Sequence, residues 1–147
     1  MIRVKIANQQ EAAPIDFARL KETARVVLEG EKVKDARISL AFVDNATIHR
    51  LNKQFLNHDE PTDVLSFPMS APNARTLEGE IVIGAEVAKD QARERGHDVG
   101  AELALYVIHG LLHLCGYDDH EPDDIQRMRE SEQYFLRQLG YPDISEK

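Results

Sequence analysis

The segment Leu103-Ala104-Leu105-Tyr106-Val107-Ile108-His109-Gly110-Leu111-Leu112-His113-Leu114 is apolar or aromatic at every position except one glycine and two histidines. A helix that is apolar nearly all round belongs in the interior, so the rest of the chain must wrap around it. Residues four apart stack on one helix face, and the imidazoles of His109 and His113 can therefore reach a single ion. Such a pair carries little weight by itself, because short motifs arise by chance. Here, however, the histidines are interior groups that need polar partners. Gly116 then lets the chain turn sharply out of the helix, and Asp118, Asp119 and His120 follow at once.

The turn can bring His120 back over the pair. Three nitrogen ligands with an open fourth position form a catalytic zinc site, whereas a structural site closes the tetrahedron with a fourth protein ligand. Held by neutral ligands, a divalent ion keeps its full charge, lowers the pKa of a bound water and polarises a carbonyl or phosphoryl oxygen. His109, His113 and His120 thus read as ligands of one Zn2+ in a hydrolase whose substrate the ligand set does not choose. Zinc peptidases of the HExxH pattern carry a glutamate base beside the first histidine. This chain has Gly110 there, which disfavours that mechanism. Asp118 and Asp119 are the candidate catalytic carboxylates; either can serve as base or accept hydrogen bonds from the ligating rings. Glu102 shares the histidine stripe but lies about 10 Å along the axis, suited to indirect support of the site or to pairing with the helix dipole. Cys115 is turned away from the stripe, which suits core packing.

A chain of 147 residues with 42% hydrophobic content suits one globular domain spanning 1–147. No apolar run is long enough to cross a bilayer, and no signal-peptide pattern opens the sequence. A single cysteine excludes an intramolecular disulfide and fits a reducing compartment. The net charge of −8 argues against broad nucleic-acid binding. It leaves room for an RNA gripped locally by a few cations and a metal.

Alternation predicts strands at Met1–Ile6 and Arg37–Val43. A helix opens at Pro14 and Asp16 and runs to about Leu28, with Gly30 as its stop. Asp44 or Asn45 caps a helix carrying Ile48, Leu51 and Phe55. Asn57–Asp63 is a polar turn, and Val64–Phe67 a short edge strand bracketed by Pro61 and Pro68. Met69–Glu78 reads as an exposed loop, Gly79–Gly84 as a strand and Ala85 to about Arg95 as a charged helix. Asp98 caps the apolar helix, and Pro122 opens a last one whose core face is Ile125, Met128, Phe135, Leu136 and Leu139. The expected fold class is α+β: a single domain with a small mixed β-sheet packed against helices.

The strings Leu51-Asn52, Asp59-Glu60-Pro61-Thr62-Asp63-Val64-Leu65-Ser66-Phe67-Pro68, Gly79-Glu80-Ile81-Val82-Ile83 and His109-Gly110-Leu111-Leu112-His113-Leu114-Cys115-Gly116-Tyr117-Asp118 resemble those of the YbeY family, bacterial metal-dependent endoribonucleases. They are collinear from about residue 40 to residue 120, and the combination is highly specific. The resemblance implies one zinc ion held by three histidines and a single-stranded RNA substrate. It also implies action on the 16S rRNA precursor and on ribosomal particles, a cytoplasmic location without membrane contact, and a distant likeness to metzincin peptidases.

Two departures stand out. Six residues separate His113 from His120, one more than in most members, so Asp119 occupies the usual register of the third ligand. His120 is the expected ligand and Asp119 the alternative, since carboxylates also bind zinc. Leu56 stands where the family carries a loop arginine; Arg50, Lys53 and His58 are the nearby substitutes. A zinc-stabilised ribosome assembly factor with weak or no nuclease activity is the alternative function.

Overall fold

The computed structural model describes residues 1–58 and 62–145. Asp59, Glu60 and Pro61, part of the expected polar turn and of the family string, lie outside the described residues, as do Glu146 and Lys147.

Asp16 and Asp44 each sit just before a helix, and each carboxylate accepts the backbone N–H three residues on, from Arg19 (3.1 Å) and Thr47 (2.8 Å). These bonds satisfy amides that have no partner within the helix. They start α1 (Phe17–Gly30) and α2 (Asn45–Leu56). β1 (Ile2–Gln9) precedes α1, and β2 (Ala36–Val43) runs between the two helices. β3 (Val64–Pro68), β4 (Leu77–Gly84), α3 (Ala85–Arg95), α4 (Val99–Leu114) and α5 (Pro122–Gln138) complete the order.

The four strands form one mixed sheet in the order β1-β2-β4-β3, with β1, β2 and β4 parallel and β3 antiparallel to β4. β3 is an edge strand, as Pro68 at its end requires. Alternation along β2 and β4 feeds two cores. Ile38, Leu40, Phe42, Ile81 and Ile83 face α1 and α4 in the main one. Val43 and Val82 face α2 through Ile48 in a smaller one. Both faces of the central strands are therefore covered, which explains their nearly continuous apolar sequence. α4 packs against α1, α3, α5, β3 and β4, and Leu103, Val107, Ile108, Leu111 and Leu112 are buried within it. The apolar helix is the axis of the domain.

Several sequence expectations shift. β1 runs on past Ile6 to Gln9, because Ala7, Asn8 and Gln9 pair with Ala41, Phe42 and Val43 of β2, and α1 starts only after Asp16, so Pro14 lies outside it. β4 begins at Leu77 rather than Gly79, because Leu77 and Glu78 pair with Ala36 and Arg37 of β2; the expected loop is shorter by those two residues. Gly30 is the last residue of α1 rather than its stop. A β-carbon there would lie 2.5 Å from Phe135 Cε1, so glycine serves the close approach of α5. Asp98 precedes α4 without a side-chain cap; its carbonyl accepts from Ala101 and Glu102 instead.

Candidate metal centre

Helical spacing brings His109 and His113 together as expected, with their Nε2 atoms 3.1 Å apart at the C-terminal end of α4. Gly116 follows with φ +103°, a conformation that favours glycine. The chain then doubles back so that Asp119 Oδ2 lies 3.5 Å from His109 Nε2 and 3.3 Å from His113 Nε2. Neighbouring ligands of a tetrahedral zinc, at bonds of about 2.0–2.2 Å, stand roughly 3.3–3.6 Å apart. The three atoms thus trace a triangle close to one face of such a tetrahedron, and His109, His113 and Asp119 could hold a metal ion.

The other ring nitrogens fix the tautomers. His109 Nδ1 lies 2.6 Å from Glu132 Oε2 and His113 Nδ1 lies 3.0 Å from the Tyr117 carbonyl. A carbonyl oxygen and a carboxylate only accept, so both Nδ1 atoms donate. Each neutral ring then presents a lone pair on Nε2, and the two lone pairs face each other at 3.1 Å. Only a cation or a proton placed between them removes that repulsion. Burial opposes a charge on His109, but the hydrogen bond and charge of Glu132, helped by Asp63 and Asp119, outweigh it and raise its pKa above the usual histidine value. Proton and metal ion accordingly compete for the same nitrogen.

His120 lies elsewhere. Its side chain is 81% exposed, and its Nε2 faces Asp118 Oδ1 at 3.4 Å. The same Asp118 oxygen accepts the Asp119 amide at 2.8 Å, so Asp118 shapes the turn that presents Asp119. Geometry draws Asp119 into the group and leaves His120 outside it. Leu56 is half exposed at the end of α2. Arg50, Lys53 and His58 are exposed as well.

Glu102, expected to support the site or the dipole, is fully buried and pairs with Arg95 (3.3 Å) and His97. It locks the corner between α3 and α4. Support of the site comes instead from Glu132 on α5, which the sequence reading missed. The signal was present: Glu132 is an acid on the buried stripe of Met128, Phe135 and Leu136, a position where an apolar residue is the default. Tyr117 is the other missed contributor. Its hydroxyl donates to Glu31 and accepts from Ser131, both at 3.1 Å, holding its carbonyl against His113. Replacing Glu132 with Gln should weaken metal affinity by about 10–100-fold, measured by competition with a chromogenic chelator.

Cys115 caps the helix and packs against the main core. Burial, with a smaller push from Glu31, raises its thiol pKa to about 12. The scarcity of thiolate should slow alkylation at neutral pH roughly a hundredfold relative to free cysteine, even after allowing for the greater nucleophilicity of a basic thiolate. Timed iodoacetamide labelling of native and unfolded protein measures this.

A mixed α+β domain whose buried central helix ends in two imidazoles, met by a carboxylate from the turn that follows, is a frame suited to a metal-binding hydrolase. The model of the family described as Endoribonuclease YbeY matches residues 5–140. Endoribonuclease YbeY of Carboxydothermus hydrogenoformans is 37% identical over 92% of this chain and 96% of its own length. That of Myxococcus xanthus is 42% identical over 95% of this chain but only 48% of its own length. The solution structure of TM1509 from Thermotoga maritima superposes with a TM-score of 0.68 at 31% identity, covering 95% of this chain and 89% of that one. The chain belongs to the YbeY endoribonuclease family, and is a hydrolytic nuclease acting on RNA.

Proposed function

We propose that the protein is a zinc-dependent endoribonuclease specific for single-stranded RNA, with residues 1–147 acting as one catalytic domain. In the cell it trims the 3′ end of 16S rRNA and takes part in ribosome quality control, working on ribosomal particles in the cytoplasm. Family membership supports the nuclease part, and the cellular part extends the family resemblance. That no helix among the described residues is long and apolar enough to cross a membrane is compatible with it.

The observation that carries the metal-dependent reading is the triangle of His109 Nε2, His113 Nε2 and Asp119 Oδ2, with edges of 3.1, 3.3 and 3.5 Å. These three residues are the proposed ligands. A zinc ion there supplies a Lewis acid to a phosphoryl oxygen and makes water a better nucleophile near neutral pH. The chain's own residues prepare the site: Glu132 and the Tyr117 carbonyl hold the Nδ1 protons, which keeps both Nε2 atoms available. His109 and His113 are about one-quarter exposed, so the group is reachable from solvent.

Stripping the metal with a chelator should abolish cleavage of a single-stranded oligoribonucleotide, and added zinc should restore it while a duplex stays intact. Undiminished cleavage by protein shown metal-free by elemental analysis would refute the reading. In-line attack by water predicts cleaved ends without a 2′,3′-cyclic phosphate; finding that group would assign the attack to the RNA's own 2′-hydroxyl.

A further inference from the structure

Beside the metal centre lies a cavity of about 260 Å3 whose wall includes His109 and Asp119. Its size falls just below the roughly 300–1,000 Å3 of pockets that take drug-sized ligands, which suits one nucleotide unit rather than a longer stretch. Leu105, Ile125 and Met128 give the wall an apolar side. Ser145 and Arg129, both polar side chains of the wall, take no part in the centre as described. Ser145 is only 3% exposed, and its hydroxyl oxygen is buried without a hydrogen-bond partner among the described residues, an arrangement that costs free energy until a ligand supplies one. Arg129, exposed on α5 one turn before Glu132, is the one Arg or Lys on the wall among the described residues. It forms no ion pair among the described residues. On a chain of net charge −8, with Asp63, Asp119 and Glu132 lining the same cavity, an anionic substrate needs such a cation. Leu56 cannot provide it, and Arg50, Lys53 and His58 do not line the cavity.

We infer that this cavity is a nucleotide subsite of the RNA cleft: Arg129 holds a phosphate adjoining the scissile one, and the attached base enters against Leu105, Ile125 and Met128 with Ser145 bonding its edge. The guanidinium fork matches phosphate geometry, and a base lifted out of its stack is held by an apolar surface plus a hydrogen bond to its edge. This inference rests on the endoribonuclease reading and adds the residues that grip the substrate.

The test uses the metal-loaded protein and a fluorescein-labelled single-stranded oligoribonucleotide, with binding followed by anisotropy and cleavage on the same samples. Arg129→Ala should raise Kd about tenfold and flatten the dependence of log Kd on log salt by about 0.7, the share of one phosphate contact on a single strand. Arg129→Lys should recover part of the loss. Metal content and melting temperature should stay at wild-type values. Ser145→Ala should weaken binding several-fold with a melting temperature unchanged or raised, since the variant loses an unpaired hydroxyl. A single abasic position next to the scissile bond should weaken binding to wild type and matter less to Ser145→Ala. Wild-type Kd and salt slope in Arg129→Ala, or indifference to an abasic residue at every position, would overturn the subsite. If RNA is cleaved while binding ignores Arg129, the subsite fails and the nuclease stands; Arg129-dependent binding without cleavage is the reverse result.

Discussion

Replacing Asp119 with alanine should weaken metal affinity at least a hundredfold and abolish RNA cleavage, while His120→Ala leaves both within a few-fold of wild type. The asymmetry follows from position. Asp119 Oδ2 stands within 3.5 Å of both Nε2 atoms, whereas the His120 ring is 81% exposed beside Asp118. Removing a residue that merely orients a ligand lowers metal affinity by about 10–100-fold, so losing a ligand outright should exceed that range. Competition with a chelator of known affinity gives the binding change, and a labelled oligoribonucleotide gives the cleavage. The opposite pattern, with metal kept by Asp119→Ala and lost by His120→Ala, would return the third position to histidine. His113→Ala adds a control on the alternative role as a zinc-braced assembly factor. It should melt cooperatively near wild type yet cut no RNA; a protein that unfolds on this change would point to a bracing metal.

Gly110→Glu should destabilise the fold by about 3 kcal/mol or more and create no peptidase, although it completes the HExxH pattern. A β-carbon at this position would lie 2.8 Å from Ile81 Cγ2 and 3.2 Å from Ser66 Oγ. Ile81 is fully buried and branched at its β-carbon, so it has little room to yield. Overpacking of this kind costs about 1–3 kcal/mol, and a carboxylate pressed against the sheet adds the penalty of a buried, unpaired charge. At roughly 2–4 °C per kcal/mol for a domain of this size, the melting temperature should drop by about 10 °C, measurable by calorimetry. A variant as stable as wild type would show that α4 and β4 can separate at this crossing. The glycine is therefore explained by close packing of helix on sheet as well as by the missing base.

Where a feature is local, the residues announce it. The periodicities of β2 and α4, the caps at Asp16 and Asp44 and the edge position of β3 all follow from neighbours within a few residues. The His109–His113 pair follows from helical pitch alone. What stayed hidden depends on how the chain turns between elements or on contacts between distant segments. Leu77 and Glu78 join β4 because β2 offers them a ladder, and nothing in their own sequence says so. Glu102 belongs to Arg95 and His97 because α3 folds back beside α4, a corner that spacing along one helix cannot reveal. The choice between Asp119 and His120 turns on the path after Gly116, where a hydrogen bond from the Asp119 amide to Asp118 sets which side chain faces inward. Glu132 was legible only as an acid on an apolar stripe; its partner, His109, is 23 residues away.

The most direct test of the proposed centre is an anomalous difference map from a crystal grown with zinc, collected at the zinc edge. One strong peak bonded to His109 Nε2, His113 Nε2 and Asp119 Oδ2 at about 2.0–2.2 Å, with no fourth protein ligand, is the expected result. A peak ligated by His120 in place of Asp119, a fourth protein donor closing the tetrahedron, or no peak at this triangle under saturating zinc would contradict it.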